Sequence, residues 1–320
     1  MKKKIIGWGC SKIYEVMADD IKKDFIFFID SSFKKKNYLG LKVYNDTKIL
    51  KKFKKNLVVI FSVSNSALLE ISKKLNQLGF EYNKDYIYYS DYLEFIFKEK
   101  LKKYKISFNK DLVDYAKSYS LISNKAIHST IYGLYLYLYL INKTKNIKGN
   151  IAEVGSYECG TSLAAMHSMI FFKKKKYISI FDTFEGFPSV SAFDKKVSKG
   201  HFNIKINYSD LSLPLMMHKN FIKIYKGPVP QTFKQVPKKE KFSVVFHDLD
   251  LYVPTKKSLE FFWKRLSKGG YFIIHDYFYE KNGYKGVSKA VDDFINKNKS
   301  SDMKIMKFPE CLSVIINKKK

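Results

Sequence analysis

A chain of 320 residues, 46% hydrophobic and 28% charged, has enough apolar material for one large core or two domains, which excludes a disordered polymer. Its three cysteines, Cys10, Cys159 and Cys311, are far apart and form no CxxC pair, which rules against a disulfide scaffold and a zinc cage. The net charge of +29 favours anionic partners, yet one basic residue alone, Arg265, is arginine, so nucleic acid is not the expected partner.

The N-terminus "MKKKIIGWGC" is basic, but its apolar stretch is short and broken by glycines. It does not read as a signal peptide, and a cytoplasmic protein, at most weakly associated with the inner membrane surface, is expected. Strand-like runs "KKIIGWG", "FIFFIDSS", "LVVIFSV" and "YIYYS" then alternate with helical stretches, one from about Ser11 to Ile21 and one near 66–79. This predicts a smaller α/β, Rossmann-like domain over residues 1–100. Gly7 and Gly9 follow its first strand and Asp30 ends the second, but Lys12 stands where close helix packing wants a third glycine. The domain therefore reads as a degenerate nucleotide fold used for packing, dimerisation or a sugar-nucleotide contact, and a homo-oligomer is expected.

Residues 101–149 read as a helical linker with cover helices. Within them "IYGLYLYLYLI", at 131–141, is too short to span a bilayer and carries four tyrosines, so a packed helix is expected and no transmembrane segment. From 150 to 320 a second α/β unit follows, with candidate strands "IAEVGS", "YISIFDTF", "FIKIYKG", "FSVVFHDLD" and "GYFIIHDYF", then the close pair "MKIMKF" and "LSVIIN". The spacing predicts a mostly parallel sheet with an antiparallel edge. Ligands of such sheets bind beyond the carboxyl ends of the strands, where the unusual polar residues fall.

The segment "IAEVGSYECGTS" ends a strand at Gly155 and opens a helix near Gly160 to Ser162. Glycine permits the turn, and free N–H groups at the helix start favour a carboxylate or phosphate. "FDTFEGFP" sets Asp182 at the next strand end, where it would accept hydrogen bonds from a ribose diol; a cap or turn formed with Thr183 is the alternative. Without a GxGxxG, a nucleoside cofactor with a carboxylate tail fits better than a dinucleotide.

Two later strands end in "HDLDLY" and "IIHDYF". Asp248 and Asp250 project to the same side and repel unless a cation or a shared proton joins them. Asp248, Asp276 and His275 form a candidate ligand set for Mg²⁺, which would orient sugar hydroxyls or activate one, with a neighbouring carboxylate or imidazole taking the proton. Asp250 reads as an acid that fixes the loop. The tract 185–220, with "HFN" and "SDLSLPLMMH", suits a lid or substrate-contacting insertion. His201, Tyr252 and Tyr277 are the candidate sugar contacts, with a surface histidine and a packed tyrosine as the alternatives for His201 and Tyr252.

In their order, "IAEVGSYECGTS", "FDTFEGFP", "HDLDLYVPTKKSLEFFWKRLSKGGYFIIHDYF" and "GYKGVSKAVDDF" resemble the macrocin O-methyltransferase family, the TylF-like class I methyltransferases, over roughly residues 120–320. The resemblance implies that S-adenosylmethionine binds at the first two strand ends. Cofactor roles then fall on Glu153, Gly155, Gly160 and Asp182, with Ser156, Tyr157, Thr161, Ser162, Thr183 and Phe184 beside them. It also implies methyl transfer to a sugar hydroxyl, on a nucleotide-sugar or a surface-polysaccharide precursor, with Asp248 as metal ligand and base. Members carry two adjacent acids after the next strand, whereas this chain has His275 and Asp276. Histidine removes one negative charge and prefers softer ions than Mg²⁺, which brings Mn²⁺ forward and gives His275 a share in catalysis. The competing readings are a nucleic-acid methyltransferase, favoured by charge alone and lacking an "NPPY"-type segment, and a noncatalytic nucleotide-sugar-binding scaffold.

Overall fold

Short buried runs bounded by turns build two separate sheets. The computed structural model describes residues 4–11, 14, 17, 19–61, 64–122, 130–171, 176–194, 197–203, 220–278, 285–298 and 302–319. The chain divides into two compact units, residues 1–107 and 108–320.

In the first unit the strands are β1 (Ile5–Trp8), β2 (Phe25–Ile29), β3 (Asn37–Tyr38), β4 (Leu41–Tyr44), β5 (Leu57–Ile60) and β6 (Tyr86–Tyr88), in the order β3-β4-β2-β1-β5-β6. All pairings are parallel except the β3–β4 edge. Helices α1 (Asp19–Lys22), α2 (Asn65–Gln77) and α3 (Tyr89–Lys103) accompany it. Of the helix expected over 11–21, Asp19 to Ile21 lie in α1 among the described residues, and Lys12 lies outside them. The glycine and acid that suggested a nucleotide fingerprint have other work. A Cβ on Gly7 would stand 2.1 Å from the Phe28 ring, so this glycine makes room for an aromatic core of Tyr14, Phe25, Phe28 and Phe61. The Asp30 carboxylate accepts from the Cys10, Ser32 and Phe33 amides and the Ser32 hydroxyl at 2.7–3.1 Å, tying the β1 and β2 loops together.

The second unit opens with α4 (Lys110–Ile122) and α5 (Ile131–Lys143). Its strands are β7 (Asn150–Val154), β8 (Ile178–Asp182), β9 (Ile222–Lys226), β10 (Phe242–His247), β11 (Leu266–Ile274), β12 (Met303–Phe308) and β13 (Ser313–Lys318). Helices α6 (Gly160–Phe171), α7 (Tyr252–Arg265) and α8 (Lys285–Lys297) connect them. The sheet order is β12-β13-β11-β10-β7-β8-β9, parallel except for β13, which runs antiparallel between β11 and β12. This is the Rossmann-like α/β sheet expected from the run spacing, including the antiparallel edge.

Every residue of β10 is buried, because helices cover both faces. On one face Phe246 stacks on Tyr137 of α5, with centroids 4.8 Å apart. On the other, Phe181 and Phe272 of the sheet make edge contacts with Phe262 of α7, and Phe233, from the turn after β9, packs edge-on against Phe181. Each such ring contributes about 2–3 kcal/mol by leaving water. The tyrosine-rich stretch forms α5, capped by Thr130 and buried almost all round, with the Tyr135 hydroxyl accepting from the Asn109 amide. Among the described residues no helix is long and apolar enough to cross a membrane.

Candidate active site

Strand order reverses at β7: β8 lies on one side and β10 on the other, so the loops leaving these strands diverge and open a crevice. A cavity of about 310 Å³ lies there, lined by Gly155 to Tyr157 on one side and Asp248 to Leu251 on the other. The close crossing of these loops dictates the glycine. Gly155 has φ +86, and a Cβ on it would sit 2.0 Å from the Asp248 carbonyl oxygen.

One carboxylate shapes the loop after β7. Asp182 Oδ2 accepts from the Ser156 and Tyr157 amides at 2.6 and 2.9 Å, and Oδ1 accepts from the Phe184 amide at 2.7 Å. Burial raises its carboxyl above the ordinary value against the pull of these N–H groups. A carboxylate offers about four acceptor positions, so the turn clamp occupies most of Asp182 and little remains for a ribose diol. Thr183 donates to the Gly186 carbonyl at 2.8 Å and accepts from the Glu185 amide at 3.1 Å, closing the turn. Ser156, Tyr157, Thr161, Asp182 and Thr183 line the cavity, with Phe181, Val229 and Leu249 as an apolar wall. A planar base against that wall and a charged tail at the start of α6 would suit these surfaces.

Glu153, Gly160, Ser162 and Phe184 do not line the cavity. Glu153 and Ser162 are wholly buried beneath the loop, where the Tyr137 hydroxyl donates to Glu153 Oε2 at 3.3 Å. Burial, opposed by the hydrogen bond from Tyr137, pushes the Glu153 carboxyl up to about 8, so it is largely neutral near pH 7.

Across the cavity stand Asp248, Asp250, His275 and Asp276. His275 Nδ1 lies 3.2 Å from Asp248 Oδ1 and 3.1 Å from Asp276 Oδ1. Burial opposes a charged ring here, but the carboxylates of Asp276 and Asp248 outweigh it and hold His275 well above its ordinary pKa. Asp250, read from the sequence as a loop-fixing acid, also lines the cavity; burial, then a hydrogen bond shared with Asp276, drives its carboxyl well above the usual range. Asp250 and Asp276 both adopt φ of +58, conformations that turn the chain sharply at the two strand ends. Asp248, His275 and Asp276 each offer one ligand atom, all within 4.8 Å of one another. Two carboxylates and one imidazole fit a divalent cation once His275 gives up the proton that these carboxylates otherwise hold on its ring, and the nitrogen donor suits Mn²⁺-like ions better than Mg²⁺.

The three candidate sugar contacts lie outside the cavity lining. Tyr252 packs its ring 4.6 Å from Phe193 and donates its hydroxyl to Asp293. Tyr277 donates to Asp292 and accepts from Lys307. His201 is exposed, with its ring against Phe202, and its carbonyl accepts from the Phe187 amide. Aromatic and proline side chains supply that wall instead, namely Phe187, Pro188 and Phe202. "FEGFP" held that signal, whereas Leu312, in the turn before β13, reaches the cavity through the fold alone. The segment "SDLSLPLMMH" lies outside the described residues.

The sequence model of the macrocin O-methyltransferase (TylF) family matches residues 140–307. Among solved structures, the O-methyltransferase NovP is 17% identical, covers 72% of this chain and 99% of its own, and superposes with a TM-score of 0.52. The calicheamicin methyltransferase CalS11 is 19% identical, covers 67% and 94%, and has a TM-score of 0.50. At these identities the structures establish a shared fold. A search of curated protein sequences gives no significant match.

Proposed function

This chain belongs to the macrocin O-methyltransferase family and is an S-adenosylmethionine-dependent O-methyltransferase; from that premise we propose that it methylates a sugar hydroxyl, on a nucleotide-sugar or surface-polysaccharide precursor in the cytoplasm. The observation carrying this reading is the acid cluster facing the glycine-loop wall across one cavity. A sulfonium methyl group is already electrophilic, so the protein has to align it with an oxygen, relieve that oxygen of its proton and exclude water.

In this reading Ser156, Tyr157 and Thr161 hold the cofactor on the loop that Asp182 clamps, while the neutral Glu153 braces the same loop from beneath. Asp248, His275 and Asp276 would hold a divalent ion, which when bound lowers the pKa of the acceptor hydroxyl. Asp248 takes the proton, and the proton that Asp250 shares with Asp276 keeps their mutual repulsion from forcing the loops apart. Phe187 and Phe202 shield the transfer from water. For the first unit we propose packing or subunit contact, because its Asp30 is engaged by four hydrogen-bond donors.

Asp248→Asn tests the assignment. Calorimetry should give S-adenosylhomocysteine affinity within about threefold of wild type, and release of that product with a panel of nucleotide-sugars should fall about a hundredfold or more. Undiminished turnover would remove Asp248 from the chemistry.

A further inference from the structure

Helix α7 begins at Tyr252, directly after the acid loop, and its N-cap residue is Leu251, whose side chain makes no capping bond. A helix start leaves amides without intrahelical partners, and Ser, Thr, Asp or Asn ordinarily serves them. Here the cap comes from 58 residues upstream. Asp194 Oδ1 accepts from the Tyr252 amide at 3.0 Å, while Oδ2 accepts from the Ser191 amide at 3.1 Å and from the Ser191 hydroxyl. Asp194 is 2% exposed.

Gly286, in the first turn of α8, supplies an independent sign that this position is built. A Cβ there would stand 2.1 Å from Asp194 Oδ1 and 2.7 Å from the Tyr252 amide nitrogen. The first turns of α7 and α8 therefore close around the carboxylate. Asp194 sits near the tip of a loop whose base is pinned by Phe187 N–H to the His201 carbonyl at 3.0 Å and Gly200 N–H to the Phe187 carbonyl at 2.9 Å. That base carries Phe187 and leads into Phe202, both in the cavity wall. Phe193 adds a ring contact with Tyr252 beside the cap.

We propose that Asp194 is a positioning residue for methyl transfer: by capping α7 from the tip of the 187–201 loop, it fixes the acid loop at Asp248 to Leu251 relative to the Phe187 wall. The proposal rests on the reading of Asp248 as the group that meets the acceptor. Asp194 itself does not line the cavity, so its effect passes through the Tyr252 amide.

The test compares Asp194→Ala with Asp194→Asn in the full chain. Hydrogen exchange, read by mass spectrometry without acceptor, should speed up roughly tenfold in the peptide containing Tyr252 for the alanine variant, as expected for a lost helix cap. Turnover on an equimolar mixture of UDP- and TDP-hexoses should fall by about the same factor, with S-adenosylhomocysteine affinity held within about threefold. Asparagine keeps an acceptor for the Tyr252 amide but turns a donor toward the Ser191 amide, so it should restore part of both. Unchanged exchange and turnover in Asp194→Ala would overturn the proposal, as would loss of product affinity in parallel with the melting temperature. A wild-type enzyme inactive on every hexose would count against the sugar reading, while the exchange result would still decide the clasp.

Discussion

Glu153 carries a pH signature that its position explains. Its carboxyl is pushed by burial from an ordinary 4.5 up to about 8 in the folded chain. Below the lower value both states are protonated and its stabilising contribution is complete. Between the two values the unfolded chain releases the proton while the folded chain keeps it, so stability falls as pH rises and levels off above the folded value. Relative to Glu153→Gln, the wild type should lose on the order of a few kcal/mol across that window, measured by denaturant unfolding at a series of pH values. Parallel curves for the two proteins would contradict a buried, neutral Glu153. Asp248 was legible in the sequence because an apolar run ending in an acid marks a strand end. Asp194 was not, because its partner amide is 58 residues away and nothing local distinguishes it from a surface acid.

At the scale of elements, the central strands and their parallel pairing could be read because both faces of the second sheet are covered there, which makes β8 and β10 largely apolar runs, whereas the edge strands β9 and β12 alternate apolar residues with lysine. Helix α5 was harder, since a stretch reading "YLYLYLI" carries no amphipathic stripe; it is buried nearly all round rather than exposed along one side. Tyr252 stood open between a sugar contact and a packed tyrosine, and Tyr277 read as a sugar contact, for a related reason: both stand near the acid-bearing strand ends, and only the fold shows their hydroxyls pairing with Asp293 and Asp292 of α8. The crossing of the β7 and β10 loops gives the sharpest prediction at this scale. Gly155→Ala combines a left-handed φ of +86 with a Cβ 2.0 Å from a backbone oxygen. It should cost about 2–4 kcal/mol and abolish calorimetric S-adenosylmethionine binding, because the loop must shift away from Asp182. Wild-type melting temperature and affinity would show that the loops cross less tightly.

For the whole molecule, charge and site point in different directions. A net charge of +29 attracts any polyanion, yet the chemistry sits in a cavity bearing Asp182, Asp248, Asp250 and Asp276, and lysine supplies nearly all the positive charge. Duplex DNA should therefore bind without sequence preference and dissociate as salt rises from about 50 to about 200 mM, a loss of at least about a hundredfold by fluorescence anisotropy. Retention at the higher salt with a preferred sequence would revive the nucleic-acid reading. Composition alone could not separate these possibilities, whereas the ordered strand-end segments could, because they fix what surrounds the cavity. The most direct measurement of the central claim is mass spectrometry of nucleotide-sugars incubated with the enzyme and methyl-deuterated S-adenosylmethionine. A labelled methyl ether on a sugar hydroxyl, formed by the wild type and nearly lost in Asp248→Asn, is the predicted result. Cofactor binding with no labelled sugar in any member of the panel would contradict it.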